Sequence, residues 1–428
     1  EGSKIEIFQD SPIQNFGPAL TIGDGLGQGD LIVSNGGSVD IDGPSTSLTV
    51  SVANPNQADD TSDTSQVEES TLTIKSGGQV NLTADETSRA NFAPRQGSDA
   101  TVTITGEGSQ LSLSGGSGGY GGLIDIGQAG TADVNITDGG RMEGLYVATG
   151  GANVPAGASP GNYNTGGTGN ITVDGSGSEL VLSGSGNFGY GAFLTVGRTG
   201  TGSLDVTNGG TVSIKTQDGT FPGFTVGDAQ GADGSLTDGS LTIDGDNSLV
   251  EVSGEQGAEG DGGYAGFIEI GDENGTGTLT VQNGGTLRHD ELGAMFVGID
   301  GSNSDGTVTV TGNGSTLEAG DQLIIGGNFE NDQVVFDAPG TGSVTVENGA
   351  TLTAGQSEGD GETDIFVGSD GSLQVASDAT LTGDVQTDAG GVFAMGNSPG
   401  LAIVQGDFDA GGDTTFELDG TQDGEFDQ

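Results

Sequence analysis

Thr278–Leu287 reads Thr-Leu-Thr-Val-Gln-Asn-Gly-Gly-Thr-Leu. Leu279 and Val281 alternate with polar residues, which is the two-residue period of a half-buried strand. Asn283-Gly284-Gly285 is a turn, because Asn and Gly accept positive φ. Thr286-Leu287 then opens a second extended run. The unit predicts strand, tight turn, strand. It recurs at Leu31–Val39, Leu72–Val80, Val134–Met142, Leu204–Val212 and Val344–Leu352. Leu373–Leu381 is a decayed copy, with Ser377-Asp378-Ala379 in place of the glycine turn.

A second unit alternates with the first: Val102–Leu113, Ile171–Leu182, Leu241–Val252 and Val308–Leu317, at spacings of 69, 70 and 67 residues. A third element, an apolar strand closed by glycine, precedes these units. It appears at Leu123–Gly127, Phe193–Gly197, Phe224–Gly227, Phe267–Gly271, Phe296–Gly298, Leu323–Gly326 and Phe366–Gly368. Three short strands per half-repeat, stacked many times, predict an all-β chain. The expected fold is a right-handed parallel β-helix (a β-solenoid) of about eleven three-strand coils with side loops. At the ordinary strand spacing the shaft would be roughly 50 Å long. Phe193, Phe224, Phe267, Phe296 and Phe366 share a place in the repeat and are expected to stack inside. Asn208, Asn283 and Asn348 share a turn and are expected to form a side-chain ladder on alternate coils.

Composition fits a thin-cored solenoid. Gly is 88 of 428 residues, Trp is absent, and 31% of the chain is hydrophobic. Eight Lys and Arg face 62 Asp and Glu, a net charge of -54. Such a surface repels nucleic acid and leaves no basis for direct binding to anionic membranes. It suits a saline or calcium-rich medium, where screening lessens self-repulsion. There is no Cys, so no disulfide framework exists. No apolar run approaches the length of a membrane-spanning helix.

The chain divides into three parts. Residues 1–19 form an N-terminal cap or assembly strand, with Ile5, Ile7 and Phe8 as its apolar residues. A strand there either closes the end of the shaft or docks on another molecule, and capping is the simpler reading. Residues 20–395 form the repeat shaft, and residues 396–428 a C-terminal capping segment. Polar insertions at residues 54–70, 150–169, 216–223, 254–266, 328–340 and 356–363 read as side loops. Tyr120, Tyr190 and Tyr264 recur in glycine-rich loops at spacings of 70 and 74 residues, so they should align on one side. A row of exposed tyrosines would stack on sugars or join a protein interface. The simpler alternative is that each ring folds over its own loop.

Carboxylate-rich turns are the candidates for a hard cation. Asp300 and Asp305 flank one, and Asp244 and Asp246 another. Calcium is the ion such oxygens would hold, although no full calcium-loop pattern is present and no cofactor is required. The single His, His289, follows a repeat strand and reads as a surface residue. Three Gly-x-Ser-x-Gly matches, at Gly115–Gly119, Gly157–Gly161 and Gly396–Gly400, lack the strand–turn–helix setting that a nucleophile elbow needs. No catalytic constellation emerges, and the chain reads as a non-enzyme.

The C-terminal run Gly396-Asn397-Ser398-Pro399-Gly400, then Leu401–Val404, Gly406-Asp407-Phe408 and Gly420–Gln428, resembles the end of the passenger region of bacterial autotransporters. The LTVxNGGTL units and FIxIG strands resemble the same passengers along nearly the whole chain. The resemblance implies a β-helix exported to the bacterial cell surface, serving adhesion, biofilm formation or self-association. The chain departs from that family in ending at Gln428 with no membrane barrel after it. The family's protease signature is absent, so that activity is not implied. The expected function is therefore an extracellular structural or adhesive surface protein, self-assembling into filaments or biofilm matrix. Its partners would be further copies of itself or cell-surface glycans. The alternative is a β-helix that binds or cleaves glycans.

Overall fold

The computed structural model describes residues 3–8, 17–25, 27–53, 69–115, 121–151, 166–184, 190–216, 220–228, 237–254, 266–290, 293–299, 301–330, 333–335, 340–355, 363–376, 378–396 and 403–416. Apart from one antiparallel hairpin, Asn328–Glu330 with Gln333–Val335, every strand pairing is parallel. The strands stack in three ladders. Ladder 1 has 13 strands, beginning at Asp30–Ser34 and Glu69–Lys75 and ending at Val392–Met395 and Asp413–Phe416. Ladder 2 follows it in each coil and includes Glu179–Ser183, Thr211–Lys215, Leu249–Ser253 and Thr286–His289. Ladder 3 closes the coil and includes Phe221–Val226, Phe267–Ile270 and Ala294–Ile299. In the first two coils one long strand serves ladders 2 and 3 together, Ser38–Ala53 and Gln79–Phe92. The fold is thus the parallel β-helix that the repeats predict.

Among the described residues twelve complete coils are present, against about eleven expected, and thirteen rungs span roughly 58 Å. The ladders also continue past residue 395, through Ile403–Gln405, Phe408–Ala410 and Asp413–Phe416. The last coil carries no Asn-Gly-Gly turn after Val392–Met395, and the copy before it, Leu373–Leu381, has already lost its glycines.

The two-residue period decides what enters the core. In ladder 1 Leu241, Leu279, Val308 and Val344 lie directly on one another and are buried, while their neighbours in sequence face out. Glycine is required where ladder 3 turns into ladder 1. Gly271 has φ +73, and a Cβ on Gly277 would collide with the Val226 carbonyl and the Gly271 backbone. The glycine at the second position of the ladder 1 strands from Thr168–Asp174 to Thr341–Glu347 follows from that close approach.

The phenylalanines do not form one internal stack. Phe224 sits in the register of Leu194 and Ile268 and is fully buried in the shaft. Phe193 and Phe267 occupy the preceding register, opposite Gly223, and meet edge to face at 5.6 Å. Phe296 and Phe366 occupy the following register, with Ile324 between them. Four of the five therefore point away from the shaft axis, because the strands enter the ladder one residue out of step.

The corner between ladders 1 and 2 alternates between two turns. In the Asn-Gly-Gly form, Asn208 and Gly209 both have positive φ and Gly210 N–H donates to the Thr207 carbonyl at 3.0 Å. The alternate form, such as Gly245-Asp246-Asn247-Ser248, is one residue longer and places a buried serine hydroxyl between two coils. Ser248 donates to the Asp244 carbonyl at 2.7 Å and accepts from Gly209 N–H of the preceding coil at 3.0 Å. Ser109, Ser178 and Ser315 repeat both bonds. The asparagines do not bond one another. Asn208 and Asn283 instead donate to Asp174 and Asp244 of the preceding coil, at 2.6 and 2.7 Å, and Asn348 donates to Thr311 at 3.0 Å. An Asn–Asn ladder is excluded by the alternation, since two coils separate successive asparagines.

Ser248→Ala leaves the half-buried Gly209 amide without its acceptor, while the Asp244 carbonyl keeps the Asn208 N–H at 3.3 Å. The expected loss is about 0.5–1.5 kcal/mol, read as a lower denaturation midpoint. Ser213→Ala, on the outer side of ladder 2, is expected to change stability by less than about 0.5 kcal/mol.

Candidate functional site

Three outer faces are available, one per ladder, and they differ in chemistry. The outer side of ladder 3 is closed. Asp125, Thr195, Thr225, Phe296 and Ile324 all point outward there and all are buried. The insertions at 54–68, 152–165, 229–236, 255–265 and 356–362 each join the shaft at one end of a ladder 3 strand. Asp125 is held by Arg89, whose Nε and Nη2 both donate to its Oδ2, at 2.8 and 2.5 Å.

The outer side of ladder 2 carries ion pairs between coils. Lys4 pairs with Asp40 at 3.2 Å, Lys215 with Glu251 at 2.6 Å and Arg288 with Glu318 at 2.6 Å, while Arg141 bridges Glu143 and Glu179. Each such surface pair is worth little by itself, about 0–1 kcal/mol. They engage most of the cations that could hold an acidic polysaccharide: Arg89 meets Asp125 and Arg198 faces Asp228 at 3.9 Å, while Lys75 is exposed.

The outer side of ladder 1 is open and regular. Ser240, Thr278, Thr307 and Ser343 form one column on four successive coils, and Thr242, Thr280, Thr309 and Thr345 the next. Carboxylates border this strip, Asp238 and Asp305 on one side and Asp244 and Glu347 on the other. Toward the N-terminal end the acids crowd. Burial and the nearby carboxylates of Glu69 and Asp133 raise the pKa of Asp99. At the corner the opposite holds: hydrogen bonds from Thr207 and Asn208 keep the Asp174 carboxyl below its ordinary range.

The predicted site residues do not converge. Tyr120, Tyr264 and Asp300 lie outside the described residues, as do the serines of all three Gly-x-Ser-x-Gly matches. Tyr190 opens a ladder 3 strand opposite Phe221, and its side chain is likewise outside the described set. Asp244 ends a ladder 1 strand, where it accepts from Asn283 and from Gln282 Nε2 at 3.1 Å. Asp246 is exposed on the turn over Gly284, and Asp305 is exposed at the opposite end of the strand face. Among the described residues no three His, Asp or Glu side chains are grouped as a metal site. Ile5 and Phe8 are 52% and 65% exposed, and Ile7 is half-buried over Ile41.

His289 is not on the surface. It occupies the inward register of Val252 and is fully buried, with neither ring nitrogen hydrogen-bonded and Asp290 Oδ1 3.5 Å from Nδ1. The ring lies against Gly293, where any Cβ would strike it. The only imidazole of the chain is therefore sealed from any substrate. Sequence position alone misleads here, because Arg288 and His289 fall on opposite sides of one strand.

No family model matches the chain, and no curated protein matches it. A solved structure that resembles it is described as the TibC-catalyzed hyper-glycosylated TibA55-350 fragment. The two share 15% identity over 92% of this chain and 99% of that one, with a TM-score of 0.32.

Two measurements test the electrostatics and the core. Raising NaCl from about 0.01 to 1 M shortens the screening length from about 30 to 3 Å, so the melting temperature should rise steeply. A melting temperature insensitive to salt would contradict uncompensated repulsion. His289→Leu removes two buried nitrogens that have no partner and should raise stability by about 1 kcal/mol or more, measured by chemical denaturation.

Proposed function

We propose that this chain is the shaft of an extracellular adhesive protein of the bacterial surface, which joins further copies end to end. The observation that carries the reading is the distribution of exposed apolar side chains. Among the described residues the large ones are Ile5, Phe8 and Ile32 at one end of the shaft and Val392, Ile403 and Phe408 at the other. Ile5 lies in the inward register of Val39, and Phe408 in the inward register of Val385, so both face the place where another coil would stack. All three ladders run parallel, so one end is matched in strand direction by the other, as head-to-tail stacking requires. The resemblance to autotransporter passengers agrees with surface display.

The test is sedimentation and negative-stain electron microscopy of the native secreted material, with and without a calcium chelator. Filaments with an axial repeat near the shaft length are expected, and Ile5→Glu with Phe8→Glu should reduce them to single rods. Single rods from the unaltered protein at all salt and calcium levels, with no binding to cells, would overturn the proposal. Single rods that bind members of a glycan array would favour a glycan-binding shaft instead.

A further inference from the structure

The open face of ladder 1 has an unassigned property. In a chain with 62 acidic residues, eight adjoining outward positions on four coils carry only Ser and Thr. The six threonines, Thr242, Thr278, Thr280, Thr307, Thr309 and Thr345, make no side-chain hydrogen bond within the described residues. Thr278 and Thr307 are exposed and the other four are half-buried by their neighbours. From Glu69 to Glu347 ladder 1 keeps one register without a shift, whereas the ladder 2 and 3 strands contain irregularities. The hydroxyls therefore form a regular lattice, about 4.8 Å between coils and about 6.6 Å along each strand. Threonine is stiff about χ1, so little side-chain freedom remains to be lost on binding.

We infer that this face binds crystalline water, an ice surface. Each hydroxyl both donates and accepts, as each water does, and each threonine adds a methyl group that orders the water beside it. The spacing between coils lies close to the shortest oxygen repeat of hexagonal ice. A small ligand would need a concave pocket, and a sugar surface would need aromatic platforms, and the strip has neither. The inference rests on ladder 1 alone and is independent of end-to-end assembly.

The test is thermal hysteresis and ice-recrystallisation inhibition by the full chain, with an equal mass of albumin as the control. The unaltered protein should facet growing ice crystals and suppress recrystallisation. Thr280→Lys with Thr309→Lys should weaken suppression at least ten-fold with an unchanged melting temperature. Thr351→Lys, on the outer side of ladder 2, should leave it intact. Activity no greater than albumin, or full activity in the double variant, would overturn the inference.

Discussion

A buried serine hydroxyl at the corner between ladders 1 and 2 decides how one coil sits on the next. Ser248 takes the amide of Gly209 from the coil before it and returns its own proton to the Asp244 carbonyl. The turn that supplies the serine is one residue longer than the turn that supplies the amide, and from the second coil to Asn348 the two forms alternate. Asn283 then reaches back from the next coil to the side chain of Asp244. Serine and asparagine thus link successive coils in turn, from Asp174 through Asn208, Ser248, Asn283 and Ser315 to Asn348. The super-repeat near 70 residues is the period of this alternation.

With that corner closed, the rest of each coil has freedom to vary. Tight turns at one corner leave insertions only the two corners that flank ladder 3. Ladder 3 is accordingly buried on both faces, while ladders 1 and 2 present ordered rows to solvent. A solenoid buries a narrow column per coil, so 31% hydrophobic content suffices. The scarce cations mostly serve contacts between coils, and the net charge of the chain stays at -54.

The fold was legible because strand period and turn chemistry both repeat. Leu279, Val281 and Asn283-Gly284-Gly285 each point to the same local structure, and neighbouring copies confirm it. What stayed hidden depends on register between strands. The five phenylalanines look equivalent in the sequence, yet a one-residue offset sends four of them outward. His289 shows the same effect in reverse, since it follows the outward Arg288 and must therefore point in. The hydroxyl strip was visible in runs such as Thr307-Val308-Thr309-Val310-Thr311, whose apolar members drew the reading while the threonines between them define the open face.

Amide hydrogen exchange resolved to single residues is the most direct test of this account. The Gly209 and Gly284 amides, each donating to a serine of the next coil, should exchange as slowly as the central amides of ladder 1. In Ser248→Ala the Gly209 amide alone should lose that protection, while Gly284 keeps it. Fast exchange at both glycines in the unaltered protein would mean that the corners are open in solution and that the coils are held together some other way.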